Sequence, residues 1–294
     1  MIFFLQLVVN GVMVGALYTM VALGFVLIYK ASTVINFAQG ELVMLGGYLA
    51  LMLLLSVHLP YPVAVLGTMA IMAAFGFLVE RGILRPLTGQ PVVSIIMATI
   101  GLAAILRGLA PMIWSAEVRG FPPILPATPV PIAGVPISPV NIASAALSLL
   151  CLLVFGYFFQ RTRLGIAMRA VSDDPQVAVA MGIDLRVVLA LAWAIAGLVC
   201  ALGGVVWGNI LGVDPYLAIV GLKVFPVVIL GGLDSILGAV VGGVIMGVLE
   251  NLAAGYVDPL VGGGAKDVVP FMGLIVILMI RPYGLFGRPI IERV

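Results

Sequence analysis

The chain has 294 residues, of which 63% are hydrophobic and 9% charged, and its formal net charge is +2. Soluble domains carry roughly 25% charged residues, so the composition excludes a soluble fold. The small net charge gives no footing for nucleic-acid binding. Apolar stretches near the length that spans a hydrocarbon core recur from end to end. They are continuously apolar rather than alternating, which favours helices over a barrel. An all-α, polytopic membrane protein is predicted, read as a single transmembrane domain over 1–294.

In chain order, the apolar runs predict eight or nine spans, over 5–29, 42–57, 62–79, 92–114, 140–159, 187–211, 217–230, 237–256 and 268–280. The first run has no basic segment ahead of it and continues to Tyr29, so it reads as a retained span rather than a signal sequence. It is followed by KASTVINFAQGE (30–41), where Asn36, Gln39 and Glu41 interrupt the apolar pattern beside Gly40. A second polar break, ILGGLDSILG (229–238), holds Gly231, Gly232, Asp234 and Ser235. Irregular backbone at membrane depth survives only where protein buries it or water reaches it. Glycine-interrupted segments in the two halves of a chain point to a transport path. The two breaks therefore read either as broken or re-entrant helices lining a path or as short inside loops. After the second break, Gly238, Gly242, Gly243 and Gly247 have small-xxx-small spacing for close helix contact.

The segment 115–139 is dense in proline and nearly uncharged, which predicts an extended outer loop. The segment 160–186, QRTRLGIAMRAVSDDPQVAVAMGIDLR, is a polar island between apolar runs. It predicts a short helix over 164–171, an acidic cap with Pro175 at the first helical position, and a second short helix over 176–181 ended by Gly182. Such an island is either a docking surface or a solvated connector. If it is cytoplasmic, alternation puts Lys30, Arg81, Arg85, Arg161, Arg163, Arg169, Arg186, Arg281, Arg288 and Arg293 inside, and only Arg119 and Lys266 outside. That bias predicts an outer N-terminus and an inner C-terminus. The N-terminus moves inside if 30–41 is a break within one crossing.

Charges within spans are costly and should face protein or water. Arg107 and Glu250 are expected to neutralise each other, and Lys223 lies in a further span. Cys151 and Cys200 fall inside apolar runs without metal spacing and read as packing residues; His58, at a span end, reads as interfacial. No phosphate-loop, HExxH or GxSxG motif is present, so the chain holds no nucleotide, cofactor or metal motif of its own. A transport subunit powered from elsewhere, an intramembrane enzyme, and a stand-alone channel or secondary transporter remain. The enzyme lacks convergent acid and histidine side chains, and the stand-alone transporter has no need of a structured island.

Five stretches carry a resemblance: GALYTMVALGFVLIYKASTVINFAQGELVMLGGYLA (15–50), ERGILRPLTGQPVVSIIMATIGL (80–102), TRLGIAMRAVSDDPQVAVAMGID (162–184), FPVVILGGLDSILGAVVGGVIMGVLEN (225–251) and IRPYGLFG (280–287). In this order the chain resembles the permease subunits of branched-chain amino-acid ABC importers, of the LivH type. The resemblance implies a multi-pass subunit of the bacterial inner membrane. Its implied partners are a second related permease, two cytoplasmic ATPases that bind ATP and Mg, and a periplasmic substrate-binding protein. It implies that the island couples to an ATPase through Arg163, Gly165, Arg169, Asp173, Asp174, Pro175 and Gly182. It also implies a path near Asn36, Gln39, Glu41, Gly231, Gly232, Asp234 and Ser235. The implied cargo is a branched-chain or other hydrophobic amino acid, with other amino acids, short amides and urea as alternatives on the same scaffold.

Overall fold

The structure, a computed structural model, describes residues 2–126, 128–132 and 135–287. Arg288 and Arg293 of the charge count lie outside the described residues. The helices are α1 (Ile2–Ser32), α2 (Gln39–Leu55), α3 (Tyr61–Val79), α4 (Val92–Trp114), α5 (Pro139–Arg161), α6 (Arg163–Asp173), α7 (Pro175–Ala180), α8 (Leu185–Leu211), α9 (Ile219–Gly231), α10 (Ile236–Leu252), α11 (Asp258–Val261) and α12 (Ala265–Ile280). Every predicted span falls on a helix, and among the described residues six helical stretches are long and apolar enough to cross a membrane. The chain is an all-α, polytopic membrane protein.

The helices divide into two compact units. One comprises Leu23–Pro122 and Leu153–Leu222. Its centre is α8, packed between α2 and α3. Without a hydrophobic force between helices in lipid, close approach of backbones supplies the packing energy. Glycine permits it: Gly76 of α3 faces the backbone of Trp193, and Gly197 of α8 faces the backbone of Met72. On the other flank, a methyl group at Gly46 of α2 would sit 2.9 Å from the Ala201 Cα. Cys200 is buried in this seam and is a free thiol, in keeping with a packing role.

The other unit comprises Met1–Ala22, Pro123–Leu152 and Lys223–Val294. Here the predicted glycine stripe is put to use. Gly243 and Gly247 of α10 face the backbones of Gly15 and Gly11 in α1, while Gly242 and Gly238 face Val227 and Gly231 of α9. Thr19 of α1 donates to the Gly15 carbonyl at 2.8 Å, so its hydroxyl is satisfied within the helix. The extended outer loop predicted over 115–139 is more regular in one part than its prolines suggest. Part of that segment is an antiparallel ribbon of β1 (Val130–Ile132) and β2 (Val135–Ile137), with Pro131 opposite Pro136. A two-stranded ribbon consists only of edges, where a residue without an N–H is tolerated.

These contacts predict that Gly197→Leu, which forces side-chain atoms into the α3 backbone, destabilises the purified protein by about 1–3 kcal/mol. Gly120→Ala, with no atom near the added methyl, should leave the thermal midpoint in detergent unchanged.

Candidate functional site

The first polar break turns the chain back along α1. Thr33 ends α1 with a left-handed backbone (φ 56°), and its N–H donates to the Tyr29 carbonyl at 2.7 Å. Near this end, the Lys30 ammonium lies 5.2 Å from the ring centroid of Phe159, close to the end of α5. Residues 34–37 are non-helical, and α2 then starts at Gln39, whose side chain packs on Gly24 of α1. Gly24 lies eight residues before Ser32, so the chain climbs back about 12 Å along α1 before α2 begins. Phe37 meets Thr99, seven residues into α4, and the Gln39 carbonyl meets Cys200, midway along α8. Both neighbours place the start of α2 well inside the lengths of α4 and α8.

Asn36 and Gln39 hold this segment. Asn36 Nδ2 donates to Gln39 Oε1 at 3.0 Å, and Asn36 Oδ1 accepts from the Ala38 N–H at 3.0 Å. Both residues are buried. Thr99 Oγ1 accepts from the Phe37 N–H at 3.3 Å. The polar side chains thus satisfy backbone donors that the break leaves without a helical partner. Gly40 packs against Ala218 and Gly221, at the start of α9. A second interruption, 212–218, therefore runs from the end of α8 to the first turn of α9 and meets the first break. The sequence reading gave 217 as a span start and did not see it; Asp214-Pro215, whose carboxylate accepts from the Leu217 N–H at 3.1 Å, was the available signal.

The expected pairing of Arg107 with Glu250 is not the one formed. Arg107 Nη2 bonds Glu41 Oε1, and Glu250 bonds Lys223. Arg107 lies seven residues from the end of α4, level with the first turn of α2, because α2 starts so deep. The carboxylate that reaches it belongs to the re-entrant turn.

The second polar break is a tight, covered turn. Ser235 caps α10 by accepting from the Gly238 N–H at 2.9 Å, and Asp234 is half-buried. Gly231 faces the Gly238 backbone, and Gly232 (φ 102°) faces the backbones of Phe286 and Gly287. The N–H groups of Leu285 and Phe286 donate to the carbonyls of Leu230 (2.8 Å) and Gly231 (3.1 Å). These are carbonyls that the end of α9 would otherwise leave unpaired, which gives the 280–287 stretch a structural task.

The polar island forms α6 and α7. Thr162 caps α6, accepting from the Gly165 N–H at 3.1 Å; Asp174 caps α7, accepting from Gln176 and Val177 N–H groups at 2.9 and 3.0 Å, with Pro175 next. Gly182 follows α7 with φ 86°. Gly165 faces inward: a methyl there would sit 2.5 Å from the Phe158 carbonyl oxygen of α5. Arg169 Nη2 donates to the Gln160 carbonyl at 3.3 Å. Arg163, Asp173 and Asp174 are exposed. So are Leu164, Ile166, Val177, Val179 and Met181, which the sequence reading did not single out. Beneath the island lies a cavity of about 200 Å³, lined by Val171, Pro175 and Leu185 on one side and by Lys30, Thr33 and Glu80 on the other. Glu80 is held by Arg85 at 2.9 Å.

In the other unit, Lys223 Nζ bonds Glu250 Oε1 at 2.6 Å and Asp267 Oδ1 at 2.7 Å, and the Tyr18 hydroxyl donates to Glu250 Oε2 at 2.6 Å. Asp267 and Tyr18 were missed by the sequence reading; Asp267, in the first turn of α12, carried a signal as the acid beside an apolar run. Lys223→Met should strand two carboxylates and destabilise the protein by about 3 kcal/mol. Lys223→Met combined with Glu250→Gln should recover part of that loss, read as the thermal midpoint of the purified protein.

Residues 7–280 match the family model described as "Branched-chain amino acid transport system / permease component". The chain is 34% identical over 305 residues to the high-affinity branched-chain amino acid transport system permease protein BraD of Pseudomonas aeruginosa, covering 99% of this chain and 98% of that one. It is 30% identical over 307 residues to the corresponding LivH protein of Escherichia coli K12, covering 100% and 98%. A weaker similarity, 26% over 227 residues, reaches the D-allose transport system permease protein AlsC of Escherichia coli K12, covering 74% of this chain and 66% of that one. A family-model match over residues 7–280, with relatives at 30–34% identity over nearly the whole chain, makes the chain a member of the branched-chain amino acid transport system permease family.

Proposed function

We propose that this permease carries branched-chain or other hydrophobic amino acids inward across the bacterial inner membrane as part of an ATP-binding-cassette importer. In this reading it pairs with a second related permease, receives cargo from a periplasmic binding protein, and takes its energy from two cytoplasmic ATPases that hold ATP and Mg. The chain itself binds no nucleotide or cofactor and catalyses no reaction. Its N-terminus is periplasmic and its C-terminus cytoplasmic. The observation that carries the coupling assignment is the island: two capped helices outside the apolar spans, presenting Val177, Val179 and Met181 to solvent. Exposed apolar side chains on a polar, rigid support are what a partner surface requires.

The cavity beneath the island supplies a route for coupling. It has Val171 and Pro175 as one wall and Thr33 of the re-entrant segment as another. Displacement of α6 and α7 by a partner therefore bears on the segment that positions Asn36, Gln39 and Glu41. The cargo path runs along the re-entrant segments 33–41 and 212–221. Gly231, Gly232, Asp234 and Ser235 contribute by fixing the α9–α10 turn.

Val177→Asp with Met181→Glu should remove ATPase subunits from the purified complex and lower ATP-driven uptake at least about tenfold, by placing unpaired charge in an apolar contact. The permease should remain in the membrane with an unchanged thermal midpoint. Undiminished uptake would leave the island as a solvated connector.

A further inference from the structure

Arg107 is a charged group within a span that the fold pairs only in part. It lies about 22 Å along α4 from Val92 and about 10 Å short of Trp114, within the hydrocarbon layer. Its side chain is 64% exposed, whereas that of its partner Glu41 is 3% exposed. Glu41 engages one terminal nitrogen, and the other guanidinium donors have no partner among the described residues. An arginine fork offers five N–H donors in a plane, shaped for a carboxylate. Lipid cannot satisfy these donors, so this face of α4 meets water, cargo or protein.

The surroundings favour cargo. Gly101 and Gly108 flank Arg107 on the exposed side of α4, with no atom within reach of an added methyl. Ala104 between them is exposed as well. The helix backbone is thus bare beside the guanidinium, with apolar Met97 and Ile105 further along the same side. A fixed cation next to small and apolar residues matches one ligand class: a zwitterion with an apolar side chain. Glu41, in the first turn of α2, aims the guanidinium.

We propose that Arg107 lines the passage and binds the α-carboxylate of an amino acid in transit, with Glu41 as its positioning residue. The assignment rests on the importer reading above. It gives the passage a contact common to all α-amino acids, independent of the side chain that the binding protein selects.

The test uses the complete transporter in proteoliposomes with its binding protein and ATP, reading leucine imported per ATP hydrolysed, subunit content and thermal midpoint. Arg107→Gln should lower import per ATP about tenfold or more, with Arg107→Lys in between and all subunits retained. Arg107→Gln combined with Glu41→Gln should restore the thermal midpoint, since removing both members of a pair leaves no stranded charge, but should not restore import. Restored import in the double variant would make the pair purely structural and overturn the assignment. Loss of the second permease from Arg107→Gln would overturn it in favour of a subunit interface, and unchanged import would also overturn it. A wild-type complex that imports no amino acid refutes the importer reading itself, a failure visible before any variant is compared.

Discussion

Backbone hydrogen bonding at membrane depth is the constraint on which this fold depends. A helix carries its own backbone bonds across the bilayer, but a break does not. At 33–38 the missing bonds come from side chains: Asn36 serves the Ala38 N–H, Thr99 serves the Phe37 N–H, and Gln39 holds Asn36 in place. Glycine then lets neighbouring backbone close over the segment. Gly24 leaves room for the Gln39 amide, and Gly40 lets α2 meet the start of α9. At 231–235 the solution differs, since the C-terminal stretch 284–287 lays its N–H groups on the last carbonyls of α9. In both places a run that looks like mere polar interruption is an accounting of donors and acceptors.

The charges obey the same logic. Glu41 is buried because Arg107 covers it, and Arg107 is at that depth because α2 begins there. In the other unit, Lys223 sits between Glu250 and Asp267, with the Tyr18 hydroxyl on the remaining Glu250 oxygen. These groups differ in what they leave open. The Lys223 cluster spends its donors on carboxylates, whereas the Arg107 fork keeps most of its donors. That difference separates an internal brace from a group able to meet a solute.

Much of this was legible in the sequence. Continuous apolar runs placed the helices, because hydropathy decides them, and six of the helical stretches among the described residues are long enough to cross a membrane. Cap chemistry placed α7, because Asp174, Pro175 and Gly182 act on the backbone within a few residues, whereas the Thr162 cap of α6 was not read from the sequence. Long-range partners were not legible. Arg107 was paired with Glu250 on apparent depth, and that estimate failed because the start of α2 is displaced by the re-entrant climb. The break at 212–218 was invisible because its depth depends on contact between Gly40 and Gly221, glycines far apart in the chain. The proline-rich segment misled through its composition: prolines paired with each other across an edge ribbon do not prevent a strand.

The most direct measurement is the chemical environment of Phe37, which lies in the re-entrant segment and is partly exposed. Phe37→Cys would be placed in a transporter lacking Cys151 and Cys200, and its modification by a water-soluble thiol reagent followed with and without ATP. A segment that lines a passage predicts modification from the aqueous phase at a rate that changes with nucleotide. Modification only by a lipid-soluble reagent, at a rate indifferent to nucleotide, would place Phe37 against lipid and contradict a passage along 33–41.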